Sequence, residues 1–156
     1  MIFLLGGPGF LGSRAPFYAD LTLLLTLLSM GMFTVGFVVA RRKHYELHRW
    51  IQTAAATLNV MVVLLVMVIS FVTYILPGIP GKLLTGTYGI TTLHAFVGSI
   101  AFLYGLFVVL RANGLMPRRL RFKNYKLFMR IAYSLYLLAT VIGVAVYLAV
   151  YTGPAG

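Results

Sequence analysis

Four long apolar stretches, separated by three short polar segments, organise this chain of 156 residues. Crossing roughly 30 Å of hydrocarbon takes about 20 apolar residues in a helix. The pattern predicts four such helices, at about residues 21–40, 50–76, 88–110 and 127–151. Asp20 opens the first and Arg41 closes it. The run Pro77-Gly78-Ile79-Pro80-Gly81 is expected to stop the second, Arg111 with Asn113-Gly114 the third, and Gly153-Pro154 the fourth. Because the connections are short, neighbouring helices are expected to run antiparallel. The expected fold is therefore all-α: one domain, an integral-membrane, antiparallel four-transmembrane-helix bundle. Small residues four apart, Ala101 with Gly105 and Ala139 with Gly143, mark faces where helices can approach closely.

The basic residues orient the bundle. Eleven of the 13 lysines and arginines fall in two connecting segments, Arg41 to Arg49 and Arg111 to Arg130, and only Arg14 and Lys82 lie elsewhere. Short loops rich in Lys and Arg stay on the cytoplasmic side. Both basic segments are thus expected inside and both termini outside. Aromatic residues mark the two interfaces: Phe17, Tyr18, Tyr74, Tyr88, Tyr147 and Tyr151 at the outer level, and Tyr45, Trp50, Phe122 and Tyr125 at the inner one. The net charge of +11 is explained by these flanking loops, so it points to lipid headgroups and not to nucleic acid.

Composition narrows the chemistry. The chain is 61% hydrophobic and 10% charged, outside the soluble range. It has no cysteine, which excludes disulfides, thiolate metal sites and Cys-attached haem. The opening Met1 to Gly12 is apolar, but it lacks a basic start and is broken by Gly6, Gly7, Pro8 and Gly9. It predicts an outer segment that is loose or dips into the interface, not a signal peptide. GGPGFLG lacks the Lys-Ser/Thr of a phosphate loop, no paired carboxylates exist for hydrolysis, and no Ser/His/Asp set falls at one depth. An enzyme is not expected.

The titratable groups are few: His44, His48, His94, Asp20 and Glu46. His44 and His48 are spaced i, i+4, which puts both on one face if the second helix starts early and can hold a metal. Their plainer reading is a wet basic turn. His94 lies about six residues, or roughly 9 Å, into the third helix. An ionisable group within a span is a candidate functional site, the alternative being a neutral histidine bonded across helices. His94 and His48 are therefore the candidate metal ligands. They cannot share one haem, because His94 sits roughly 24 Å along the helix from its inner end. A haem held by His94 and Met67 fits by depth. Asp20 is expected near His94, with Arg14 pairing Asp20 to pin the outer segment. Asn59, near the middle of the second span, needs a partner on another helix, with Thr34, Ser99 and Thr140 as candidates.

Three pieces carry a family resemblance: Leu47-His48-Arg49-Trp50 before the second span, Leu93-His94-Ala95-Phe96-Val97-Gly98 in the third, and Ile142-Gly143-Val144-Ala145-Val146-Tyr147-Leu148 at the close. Over residues 18–151 the chain resembles domain-of-unknown-function family 420, small four-helix bacterial membrane proteins, some linked to assembly of haem–copper terminal oxidases. The resemblance implies a non-catalytic accessory or assembly protein of a respiratory terminal oxidase, in the bacterial inner (cytoplasmic) membrane. Family members also carry a histidine at the inner end of the fourth helix, where this chain has Tyr125, which leaves His48 without that partner. The other functions carried forward are a small integral subunit of a respiratory or photosynthetic electron-transfer complex, and a protein that binds haem or a metal such as copper.

Overall fold

Each apolar stretch closes its backbone hydrogen bonds internally as a helix, the arrangement that a long apolar segment requires where water is excluded. The computed structural model describes residues 7–84, 86–117, 119 and 124–152. It contains four long helices: α1 (Phe17–Arg41), α2 (Tyr45–Gly78), α3 (Gly86–Ala112) and α4 (Tyr125–Tyr151). Among the described residues there is no strand, only an isolated bridge between Pro8 and Pro16. Each helix is long and apolar enough to cross a membrane. Arg118, Arg121, Phe122 and Lys123 of the second basic segment, and Gly153-Pro154, lie outside the described residues, as do the first six positions.

One boundary differs from expectation. α2 begins at Tyr45, with His44 at its N-cap, so the histidine pair straddles the helix start. Its far end, Gly78, falls within the expected stop, but the backbone there is not ideal α-helix. The chain passes through π turns at Val63–Met67 and Phe71–Ile75 and a 3-10 turn at Leu76–Gly78. A further helical turn, Ile79–Lys82, then follows. Proline is tolerated in a first helical turn, where its missing N–H has no intrahelical partner to lose. Pro77 and Pro80 both occupy such first-turn positions, so the predicted breaker instead starts two new turns.

α1 packs chiefly against α2 and α3 against α4, and α1 also packs along α4. Early α1 meets late α4 through Asp20 and Tyr147. Late α1 meets early α4, where Phe37 stacks on Tyr133 at 5.2 Å. The turn between α1 and α2 is closed by Lys43 in the left-handed region, φ 66°. Residues 7–16 form a folded cap in which Gly9 N–H donates to the Ala15 carbonyl and Phe17 N–H to the Gly7 carbonyl.

The interior holds small side chains and polar groups, while large apolar side chains face outward. Ala55, Ala101, Ala139, Ser29 and Gly36 are buried. Leu65, Phe96 and Leu103, all far from helix ends, are 62%, 66% and 64% exposed. The accessible surface is 10280 Å², against roughly 7,800 Å² for a soluble monomer of this mass. A water-soluble bundle places its large apolar residues inside. This one does the opposite.

Candidate functional site

The polar residues of α4 recur at Tyr133, Tyr136, Thr140 and Tyr147, with Gly143 filling the remaining step. Spacings of three and four keep all five positions on one helix face. Thr26, Ser29, Phe33 and Gly36 form a similar row on α1. These two rows build a polar column through the bundle.

At the end nearest the N-terminus of α1 the column begins with Asp20, which is 0% exposed. Its carboxylate accepts from Phe10 N–H at 2.6 Å and Leu11 N–H at 2.7 Å. It also accepts from the Tyr147 hydroxyl at 2.5 Å, and that hydroxyl meets Ser13 Oγ at 2.7 Å. A buried carboxylate requires such partners, because burial removes its water. Backbone amides of residues 10 and 11 and the Tyr147 hydroxyl thus meet at Asp20. Arg14 contributes its backbone N–H to the Tyr151 carbonyl at 3.4 Å. Gly9 allows this packing, since a Cβ there would collide with the Ala15 carbonyl and the Asp20 carboxylate.

His94 is not a direct partner of Asp20. Its ring packs on Gly143, one turn from Tyr147, and lies against the Ala139 carbonyl. A Cβ at position 143 would sit 2.9 Å from the His94 Cε1. Of the small pairs expected to allow close approach, Gly143 therefore receives a side chain, whereas nothing lies within 4 Å of a Cβ at Gly105.

Asn59 finds its interhelical partner in Tyr136, whose hydroxyl donates to Asn59 Oδ1 at 3.0 Å. None of the three expected residues fills that role. Thr34 binds the Met30 carbonyl and meets the Tyr133 hydroxyl at 3.2 Å, and Ser99 returns to the Ala95 carbonyl. Thr140 and Ser29 flank the Tyr136 phenol without completing hydrogen bonds of their own. Thus Ser29, Asn59, His94 and Tyr136 with Thr140 bring polar groups from all four helices toward one interior region.

Toward the other end, His48 Nδ1 lies 2.7 Å from the Gly36 carbonyl. A carbonyl only accepts, so Nδ1 carries the hydrogen, the orientation that leaves Nε2 as the acceptor or ligand nitrogen. Gln52 adds a bond to the Phe33 carbonyl at 3.1 Å. His44 is exposed and does not share this contact. Tyr125 donates to the Arg111 carbonyl at 3.0 Å and accepts its guanidinium over the ring at 5.1 Å.

The two histidine sites are far apart. Gly36 is next to Phe37, which is level with Tyr133, and Gly143 is ten residues further along α4, or roughly 15 Å. Two axial nitrogens of one iron must lie within about 4 Å of each other. Among the described residues no three His, Cys, Asp or Glu side chains gather to hold a metal. The donor set present, hydroxyls and amides with a single imidazole, suits hydrogen bonding better than transition-metal ligation. No protein-family model, no curated protein and no solved structure matches this chain.

Proposed function

We propose that the chain is a multi-pass bacterial cytoplasmic-membrane protein, an antiparallel four-span bundle with both termini outside. In this reading it serves as a non-catalytic accessory or assembly factor of a respiratory terminal oxidase. The observation that carries the reading is the use made of the chemically capable side chains. Asp20, Asn59 and His48 each bond a different helix or the outer cap, so they join parts of the bundle. What the protein offers to a partner is its apolar outer surface, broadest on α2 and α4. The oxidase is named by the resemblance to family 420 over residues 18–151.

Orientation follows from charge and from the ring contacts at helix ends. Arg49 lies over Trp50 at 5.6 Å and Arg111 over Tyr125 at 5.1 Å, both at the end assigned to the cytoplasm. Lys82 lies over Tyr88 at 5.4 Å at the other. Aromatic rings with snorkelling cations suit the headgroup level.

The test is genetic and spectroscopic. Deleting the gene lowers terminal-oxidase activity and its haem absorbance in membranes, and re-expression restores both. His48→Gln and His94→Gln restore them too, since neither histidine carries a redox centre in this reading. Full oxidase activity in the deletion strain would refute the assembly role. Restoration by the wild type but by neither histidine variant would favour a haem- or metal-binding protein.

A further inference from the structure

Most hydroxyls within these helices bond the carbonyl one turn back: Thr22 to Tyr18, Thr34 to Met30, Thr91 to Thr87 and Ser99 to Ala95. This is the ordinary way to satisfy a hydroxyl inside a membrane helix. Thr26, Ser29 and Thr140 depart from it. Their oxygens are buried and complete no hydrogen bond among the described residues, although Ser29 and Thr140 lie beside the Tyr136 hydroxyl, and those two residues are 0% and 5% exposed. The His94 Nδ1 is buried and unpartnered as well.

These groups are not scattered. Thr26 and Ser29 are one turn apart on one face of α1, the face on which Ser29 lies beside Tyr136 of α4. Ser29 and Thr140 both flank Tyr136, and Thr140 follows Ala139, whose carbonyl meets the His94 ring. In the tautomer that donates from Nε2 toward that carbonyl, Nδ1 keeps a lone pair and needs a donor. The three hydroxyls are both donors and acceptors. Leaving such groups unmade in an apolar medium is costly, whereas an internal water with two to four polar partners satisfies them.

We propose that the interior cluster of Ser29, Thr140, Thr26 and His94 is a water-binding site, in which bound water bridges the His94 Nδ1 to hydroxyls on α1 and α4. The site makes His94 a hydrated imidazole inside the bundle, set apart from the dry apolar surface of the helices. Water is favoured over a larger ligand because the groups are small, converge from opposed helices and include no charged partner. The inference does not depend on the oxidase reading and holds for any partner.

Solid-state NMR of protein labelled with 15N-histidine in lipid bilayers tests it directly. Three histidines give three ring systems, and the His94 signals are assigned by their disappearance in His94→Gln. The expected result is rapid magnetisation transfer from water to His94 Nδ1, and its loss in Ser29→Ala/Thr140→Val with the His94 ring still present. Thr140→Val alone, nearly isosteric, serves if the double variant fails to fold, with helicity verified by circular dichroism. A His94 Nδ1 that receives no water transfer while exposed His44 does would overturn the proposal. So would transfer that is unchanged in the hydroxyl variants.

Discussion

Replacing Tyr136 by Phe removes one oxygen and leaves the ring, so it isolates the interhelical bond to Asn59. The ring contact with Phe33, centroids 4.6 Å apart and nearly perpendicular, is retained. The bond is 3.0 Å long and joins α4 to α2, two helices that otherwise pack little against each other. Hydrogen bonds between membrane helices average about 0.6 kcal/mol and reach about 1.7. Tyr136→Phe also strips the half-buried Asn59 carbonyl of its donor, and an unmet buried group costs about 1–3 kcal/mol. The expected loss is therefore about 1–2 kcal/mol, near tenfold in the folding equilibrium. Unfolding in mixed detergent micelles, followed by circular dichroism, measures it. A double-mutant cycle with Asn59→Leu then reports a coupling of about 0.6–1.7 kcal/mol, the range for such bonds. Stability within about 0.3 kcal/mol of wild type, or strict additivity in the cycle, would refute the claim that this bond couples α4 to α2.

Four further outcomes follow from the same structure. Gly143→Ala pushes a methyl into the His94 ring and destabilises by about 1–3 kcal/mol, an overpacking cost that His94→Ala relieves in the double variant, as unfolding curves will show. Asp20→Asn weakens the anchoring of residues 7–16 and speeds trypsin cleavage at Arg14, while unchanged cleavage would count against the carboxylate as the anchor. Lys43→Gly relieves a left-handed backbone that costs an L-residue roughly 1–2 kcal/mol, so the variant is no less stable than wild type in the same unfolding assay. Because the chain has no cysteine, single replacements report sidedness: Arg42→Cys is labelled by an impermeant maleimide only from the cytoplasmic side, and Lys82→Cys only from outside.

The helices were legible because an apolar stretch of membrane length has few other ways to satisfy its backbone. The four spans appear within a few residues of their expected places. α2 ends at Gly78, within the expected stop, but the short turns that follow were not legible, since Pro77 and Pro80 read as breakers and fit first-turn positions. For the polar groups, depth was readable and partnership was not. Asn59 calls for a bond across helices, and depth alone favours small hydroxyl residues, whereas a tyrosine reaches further from its own helix. The signal that points to Tyr136 is the three-and-four spacing from Tyr133 to Tyr147, a polar stripe on an otherwise apolar helix. The backbone donors to Asp20, Phe10 and Leu11, carry no sequence signature, because every residue except proline has an N–H to give.

The central claim is that this bundle acts through its surface on a respiratory partner and carries no redox centre of its own. The direct measurement is gentle detergent purification of tagged protein from its native membrane, with optical spectra and mass spectrometry of the co-purifying chains. The account predicts terminal-oxidase subunits in the preparation, with every haem band assignable to them. A solitary protein with its own haem band or bound metal would contradict it, and would make His94 the first residue to replace.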